Sequence, residues 1–376
     1  MRSVVSPAAG GDHRRVTPAP RPLQLPPGAL VRVRALAGGG GGELVCQVLG
    51  PLGHGTHSQT WLARAGERHV ALKGPRWCEP GRFQADLEVE ERILGQLRSE
   101  GLIQLLGAGE GPEGTRLLCY ERAFPNPLLV LSRPEVRRCF PDPGTRFVPL
   151  PVQVTLSLGR DLLRGLEDLH AHGFVHHDVK LENLLVRLPE PGEVVPLHRQ
   201  LEHALSGRAR GVLVDLGASR SVAYLQELNA GTAAADVQLV PPQLTPLYAP
   251  PEALLPRSPG QRPLLHPSLD VYAAGVVVYA CATGRLPYED QGLDTEGWSG
   301  LLGTKALERE GRVVPLSFQA LAGAAGYRSV ADELYRLLLS CLHRDPARRP
   351  SPRAARGALE RLLEGLPAAV RIRRRG

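Results

Sequence analysis

The chain has 376 residues, of which 43% are hydrophobic and 5% aromatic, and its formal net charge is +7 at pH 7. This length and apolar content are sufficient for the core of one large domain or of two lobes. Because the positive charge is spread along the chain and aromatic residues are few, composition argues against a nucleic-acid-binding protein.

Cysteine usage and hydropathy bear on the compartment. The longest apolar stretch, residues 271–283, is too short to span a bilayer, and the N-terminal residues lack the hydrophobic core of a secretory signal. No pair of cysteines has the CxxC or zinc spacing, and four lie in apolar segments, which predicts buried free thiols in a reducing compartment. We therefore expect a cytoplasmic protein without a transmembrane segment. The six cysteines are Cys46, Cys78, Cys119, Cys139, Cys281 and Cys341.

The first half of the chain contains a leader followed by a β-rich region. Residues 1–42 are rich in Pro, Gly, Ala and Arg and end in five glycines, which predicts a disordered leader. From residue 43 the sequence predicts strands at 44–49, 60–63, 69–73, 102–106 and 115–120 and one helix at 83–97. Residues 43–124 are thus expected to form a small, mostly antiparallel sheet that carries one helix.

The second half of the chain is mainly helical. Amphipathic or apolar segments predict helices at 154–172, 268–283, 330–343 and 351–366. Residues 187–210 separate two short strands by more than a hairpin needs, which indicates an insertion with a helical turn at 197–205. We expect an α+β fold with a helical lobe at 125–366 and a basic tail at 367–376.

A glycine-rich stretch, G-P-L-G-H-G-T-H-S-Q-T-W, occupies residues 50–61. Glycines in a hairpin let backbone amides approach the phosphates of a nucleotide. Gly53 and Gly55 would serve this purpose, while Ser58 stands where a third glycine is usual. Thr60 is β-branched and could pack on an adenine face. A plain hairpin is the alternative, and the strand V-A-L-K at 70–73 follows after one short strand and a turn.

Only three residues in the chain are lysine, namely Lys73, Lys180 and Lys305, although lysine and arginine together number 45. A lysine retained against this bias indicates a need for a compact ammonium group. Lys73 ends the V-A-L-K strand and requires a carboxylate partner. Glu90 on the predicted helix lies on the same face as Leu94 and is our choice, with Glu88 and Glu91 as rivals.

The strongest pattern is H-H-D-V-K-L-E-N at residues 176–183, directly after a long predicted helix. Asp178 is placed to accept the proton of an incoming hydroxyl group. Lys180 would neutralise charge that develops on a transferred phosphoryl group. Asn183, also one of only three asparagines, could bind a magnesium ion through its amide oxygen.

A second acidic residue, Asp215, follows the apolar run 212–214 and is a candidate magnesium ligand at a strand end. Further along, T-P-L-Y-A-P-P-E at 245–252 precedes Asp270, which would begin a large central helix. We expect Arg349 near the C-terminus to form a buried ion pair with Glu252.

In this order, from about residue 43 to residue 366, the motifs resemble the eukaryotic-type protein kinase family, and Lys180 and Thr245 resemble its serine/threonine branch. The resemblance implies a two-lobed fold that holds ATP and Mg²⁺ in a cleft and phosphorylates hydroxyl groups of protein substrates. It also assigns Ala71 and Glu121 to the nucleotide site. The oligomeric state is left open.

Two alternative functions are considered, and one residue departs from the pattern of the family. A pseudokinase scaffold would usually have lost one of Lys73, Asp178, Asn183 or Asp215, and a small-molecule phosphotransferase of related fold would lack the P-P-E element. His177 stands where many family members have an arginine that grips a phosphate on the activation loop. Because histidine is mostly neutral at pH 7, we predict activity without activation-loop phosphorylation. The alternative is phosphorylation at Ser219, Ser221 or Thr232.

Overall fold

The N-terminal lobe is a strongly curved antiparallel sheet with one helix. The computed structural model describes residues 21–36, 42–55, 57–78, 84–139, 144–189, 195–231, 244–256, 263–289, 291–295 and 297–367. The elements of this lobe are β1 (Leu30–Ala35), β2 (Glu43–His54), β3 (Ser58–Ala65), β4 (Arg68–Pro75), α1 (Gln84–Gln96), β5 (Leu105–Glu110) and β6 (Arg116–Glu121).

These strands close into a barrel in the order β1-β2-β3-β4-β6-β5, with β5 pairing back onto β1. Alternate side chains along each strand point to opposite faces, so one set fills the barrel interior. That set includes Val33, Cys46, Trp61 and Leu72, all of which are buried. The helix α1 packs on the outer face of the sheet, where Leu118 and Tyr120 meet its apolar residues.

The predicted leader 1–42 is wrong for its last part, because residues 21–36 belong to the barrel. Leu23 and Leu25 are buried, and β1 pairs with both β2 and β5. A Cβ atom on Gly109 would lie 2.3 Å from the carbonyl oxygen of Arg32, so β5 needs glycine where β1 crosses it. The composition of residues 1–42 hid this strand, because a stretch rich in Pro, Gly, Ala and Arg does not reveal the pairing of β1 with the adjacent β2 or with the distant β5. Residues 1–20 and 37–41 of the leader lie outside the described ranges.

The C-terminal lobe begins after a short connection. Its first elements are β7 (Phe124–Pro125), α2 (Pro127–Leu131), α3 (Pro134–Arg137), α4 (Val152–Ala171), β8 (Phe174–Val175), β9 (Leu184–Arg187), α5 (Leu197–Leu205) and β10 (Arg210–Leu213). They are followed by β11 (Arg220–Ser221), α6 (Val222–Ala230), α7 (Pro251–Leu254), α8 (Leu269–Thr283), α9 (Gly297–Arg309), α10 (Phe318–Gly323), α11 (Ala331–Cys341) and α12 (Pro352–Gly365). The predicted two-lobed α+β architecture is confirmed.

The helix α8 forms the centre of this lobe. All its residues are buried, which is why the helix reads as apolar on every side. A Cβ atom on Gly275 would lie 2.4 Å from Leu342, so the glycine permits the close approach of the chain that follows α11. The helix α4 packs against α8 and α12. None of the helices in the described part of the chain is long and apolar enough to cross a membrane.

Small sheets beneath the cleft carry the loops of the site. The strands β7, β9 and β10 form one, and β8 pairs with β11. The segment before β5 also joins the C-terminal lobe, because the backbone N–H of Ile103 donates to the carbonyl of Leu213 at 3.0 Å. Since Leu102 and Ile103 bond to β10 rather than to the barrel, β5 begins three residues later than predicted. The helical turn predicted at 197–205 is confirmed as α5.

Candidate active site

The buried carboxylate of Asp270 holds the backbone of the loop at 176–183. Asp270 in α8 accepts hydrogen bonds from the backbone N–H groups of His176 and His177 at 2.8 and 2.9 Å, and its Oδ2 lies 2.8 Å from Nε2 of His170. Burial opposes the ionisation of Asp270, but the contact with His170 and the neighbouring histidines outweigh it and lower its pKa. The backbone of the loop is therefore fixed by an anionic anchor.

Above this anchor, three polar side chains converge on Asp178. Lys180 Nζ lies 2.5 Å from Asp178 Oδ2, and the hydroxyl group of Thr245 donates to Asp178 Oδ1 at 2.7 Å. Asn183 Nδ2 donates to the backbone carbonyl of Asp178 at 2.8 Å and lies 3.2 Å from its Oδ2. The sequence marked Thr245 only as a branch signature, because nothing local showed that it reaches a residue 67 positions away.

The second cluster surrounds Lys73 on the outer face of the sheet, where α1 packs. Its Nζ atom lies 2.6 Å from Glu90 Oε2 and 2.7 Å from Asp215 Oδ1. The helix α1 thus presents Glu90 to Lys73, while Glu91 pairs with Arg116 on the other side. Burial alone would lower the pKa of Lys73, but the charges of Asp215 and Glu90 outweigh burial and raise it above its ordinary value.

Asp215 lies between the two clusters. It follows β10 with a left-handed backbone, φ +65°, and the neighbouring Val214 donates its N–H to the carbonyl of Asn183 at 2.9 Å. The charge of Lys73 lowers the pKa of Asp215, which keeps the carboxylate ionised. Asn183 and Asp215 therefore stand on adjoining backbone segments and offer an amide and a carboxylate oxygen. These hard oxygen donors fit Mg²⁺.

The glycine-rich hairpin joins β2 to β3. Gly53 pairs with Thr60, and the N–H of Gly55 donates to the carbonyl of Ser58 at 2.8 Å. A Cβ atom on Gly53 would meet no protein atom within 4 Å. Open space beside a glycine backbone suits the approach of a bulky anion such as a nucleotide phosphate. The arrangement therefore fits the nucleotide that the sequence predicted there.

The last two residues predicted to contact the nucleotide are Ala71 and Glu121, and only the side chain of Glu121 is already bound by other groups of the protein. Ala71 in β4 is half-buried and pairs with Leu62 and Tyr120 on the neighbouring strands. The carboxylate of Glu121 is bound by the protein itself: Arg187 contacts both oxygens, and the N–H of Gln104 donates to Oε1 at 2.9 Å. Only the backbone of Glu121 is left to meet a nucleotide. The sequence gave no sign of this ion pair between β6 and β9.

Two parts of the segment that follows Asp215 pack against the rest of the protein. Gly217 lies against α1, where an added Cβ atom would be 3.0 Å from Cβ of Asp86. Beyond it, Leu225 and Leu228 of α6 are buried against Leu269 and its neighbours. Thr232, Val237 and Leu239 of the same segment lie outside the described ranges.

At the end of the segment, Glu252 and Arg349 form the expected contact. Two guanidinium nitrogens of Arg349 donate to the two carboxylate oxygens at 2.6 and 2.9 Å, and both residues are buried. Such a fork-to-fork pair has a fixed geometry. It fastens α7 to the turn that precedes α12.

His177 is enclosed rather than exposed to the cleft. It is 2% exposed, its backbone is left-handed with φ +71°, and neither ring nitrogen has a hydrogen-bond partner within the described residues. Burial lowers its pKa to about 4 although Asp270 favours the charged form. The imidazole is therefore neutral at pH 7. Next to the same segment, Ser219 is 1% exposed.

Comparison with known proteins agrees with this geometry. The chain is 27% identical over 338 residues to "Serine/threonine-protein kinase pkn2" of Myxococcus xanthus, covering 86% of this chain and 34% of that protein. It is 26% identical over 274 residues to "Serine/threonine-protein kinase PknL" of Mycobacterium tuberculosis, covering 71% of this chain and 56% of that protein. The chain therefore spans between about a third and just over half of the length of these two relatives.

The family model matches a longer stretch of the chain than the motifs occupy. The sequence model described as "Protein kinase domain" matches residues 46–358, which include the glycine-rich hairpin, both clusters and the Glu252–Arg349 pair. This match covers well over half of the chain. The chain belongs to the protein kinase family.

Proposed function

We propose that the protein is an ATP- and Mg²⁺-dependent kinase that phosphorylates serine or threonine hydroxyl groups of protein substrates. The observation that carries this proposal is the joining of two clusters in one cleft. Lys73 is held between Glu90 and Asp215, while Asp178 is held by Lys180 and Thr245. A scaffold that performs no chemistry would not need both clusters.

In this proposal each side chain has one task. Bound ATP supplies the phosphoryl group, and Mg²⁺ neutralises its negative charge. Lys73 holds the phosphates, and Glu90 keeps its ammonium group in place. Asp178 orients the substrate hydroxyl group and receives its proton, and Lys180 lies beside it to offset developing charge.

The metal and nucleotide contacts are assigned to the adjoining segments. Asn183 and Asp215 would hold the magnesium ion through oxygen atoms. The backbone of Gly53, Gly55 and Ser58 would cover the phosphates. Thr60 and Ala71, with the backbone of Glu121, would line the adenine. These assignments follow the resemblance residue by residue and the geometry is compatible with each.

The proposal that the substrate is a serine or threonine hydroxyl group rests on the two relatives and on one contact in this chain. Both relatives described above are named serine/threonine-protein kinases. In this chain Thr245 reaches Asp178 and Lys180, so the end of the activation segment closes over the residues that would meet the substrate hydroxyl. The four buried cysteines support a reducing compartment, and we propose the cytoplasm.

The rival function is a pseudokinase that binds nucleotide or partner proteins without catalysis. Retention of Lys73, Asp178, Asn183 and Asp215 argues against it. A small-molecule phosphotransferase is disfavoured by the Glu252–Arg349 pair, which anchors the element such enzymes lack.

The test is phosphoryl transfer from labelled ATP, with magnesium, to a generic basic protein. We expect transfer by the wild type and none by Asp178→Asn. The matched control is Asp332→Asn, which makes the same chemical change at an exposed position on α11. Wild-type protein that binds ATP but transfers nothing, to the basic protein or to itself, would establish the pseudokinase instead.

A further inference from the structure

We propose that Asn126 is a positioning residue that holds Asn183 in place as a metal ligand, an inference that rests on the metal site of the proposed function. Asn126 lies at the start of the C-terminal lobe, directly after β7. It is fully buried, with 0% exposure. A fully buried amide must satisfy its donors and acceptor from the protein, so its partners define its role.

Both donors of this amide go to one short segment. Nδ2 donates to the carbonyl oxygens of Leu181 and Leu184, each at 2.8 Å. Leu181–Asn183 is a 3₁₀ turn, and Leu184 begins β9. The two bonds therefore bracket Asn183 from both sides. Because Leu181 and Leu184 are themselves buried, water cannot replace these bonds.

The turn sets the direction of the Asn183 side chain. Its Nδ2 is occupied by the carbonyl and carboxylate oxygens of Asp178, which leaves its Oδ1 as the atom available to a metal ion. A turn that relaxed would shift this oxygen relative to Asp215. In metal sites, loss of a partner that orients a ligand typically costs about 10- to 100-fold in metal affinity or activity.

A purely structural reading is available, because Asn126 also begins α2. Its Oδ1 accepts the N–H of Leu129 at 3.2 Å, which is an ordinary helix cap. Capping uses only the oxygen, however, and serine or aspartate would cap as well. The two donors that face the metal-binding turn are unexplained by the cap. Asparagine supplies both the oxygen that caps α2 and the two donors that hold the turn, whereas serine and aspartate supply only the cap.

The experiment separates the two functions. In Asn126→Ser the cap is kept, but a single short hydroxyl group cannot serve two carbonyls; in Asn126→Ala both are lost. The readout is the magnesium concentration that gives half of the ATP-induced rise in melting temperature. We expect this concentration to rise about 10-fold or more in both variants. ATP binding measured with a chelator in place of magnesium should not change.

Thr155→Val is the matched control. It deletes the buried hydrogen bond between Thr155 and Tyr327, at 2.6 Å, far from the cleft. We expect it to lower stability and to leave the magnesium requirement at the wild-type value.

Each outcome decides a different point. Folded Asn126 variants with a wild-type magnesium requirement would reduce Asn126 to a cap and overturn the inference. Failure of both variants to fold would show a structural role and overturn it as well. A wild type that binds ATP with magnesium but transfers no phosphate would refute the proposed catalysis and leave this inference standing. A wild type with no magnesium response would refute the metal site, and with it this inference.

Discussion

Burial of His177 predicts that the protein loses stability on mild acidification. In the unfolded chain this histidine titrates near its ordinary pKa of 6.5, whereas in the folded protein its pKa is about 4. Between these values the unfolded chain binds a proton that the folded protein does not bind. The stabilising contribution is therefore complete above pH 6.5 and is lost as the pH falls toward 4.

The magnitude follows from the separation of the two values. A difference of about 2.5 units at about 1.36 kcal/mol each gives a loss of about 3 kcal/mol in the free energy of unfolding. Burial is the main cause. Asp270 opposes it by favouring the charged ring, whereas Arg220, His176 and His170 reinforce it by repelling the proton. Below pH 4 both states are protonated and this contribution no longer changes.

The variant His177→Asn removes the titrating group and keeps a residue that tolerates the left-handed backbone. Unfolding by urea should be followed at several pH values between about 7.5 and about 4.5, comparing wild type with variant. We expect the wild type to lose about 2 to 3 kcal/mol more than the variant across this range. Taking the difference cancels the carboxylates that both proteins share.

His198→Asn provides the control, because His198 is exposed on α5. This variant should keep the wild-type dependence on pH. If wild type and His177→Asn lose stability in parallel, His177 is charged or exposed in the folded protein, and the reasoning about its neutrality is refuted.

Three further predictions concern the lobes and the activation segment. Lys73→Met should abolish phosphoryl transfer and lower the melting temperature, because it leaves the buried Glu90 carboxylate without its partner, and turnover at the wild-type rate by the folded variant would refute the phosphate role. Phosphatase-treated protein, with its loop shown to be unmodified by mass spectrometry, should keep most of its initial rate, since neutral His177 requires no phosphate; a large drop restored by rephosphorylation would contradict this. Deletion of residues 1–36 should unfold the N-terminal lobe, because it removes β1 and the buried Leu23 and Leu25, and a deletion variant that melts at the wild-type temperature would contradict this.

The loop that carries Asp178 could be predicted because its chemistry is encoded locally. Asp178, Lys180 and Asn183 lie within six positions, and any fold that places one of them in the cleft places the others nearby. The choice of Glu90 over Glu91 was also local, since a helix with Leu94 facing the core must present Glu90 on that side. Local spacing was sufficient for both.

Contacts between distant segments could not be predicted in this way. Arg187 reaches Glu121 across 66 positions, and neither residue stands in a pattern that selects the other. Charged pairs are common on surfaces, so composition does not distinguish this pair. The bonds from Asn126 to the turn that carries Asn183 have the same character, with 55 and 58 positions between donor and acceptor.

The strand β1 was also not predicted, and its pairing bears on the candidate site. It hydrogen-bonds to β2, which leads into the glycine-rich hairpin, and to β5, which is the next strand after α1 and its Glu90. Movement of β2 relative to β5 would therefore have to break a ladder of backbone hydrogen bonds on one side or the other. The segments that would cover the phosphates and hold Lys73 thus share one closed support. Composition alone assigned that support to a disordered leader.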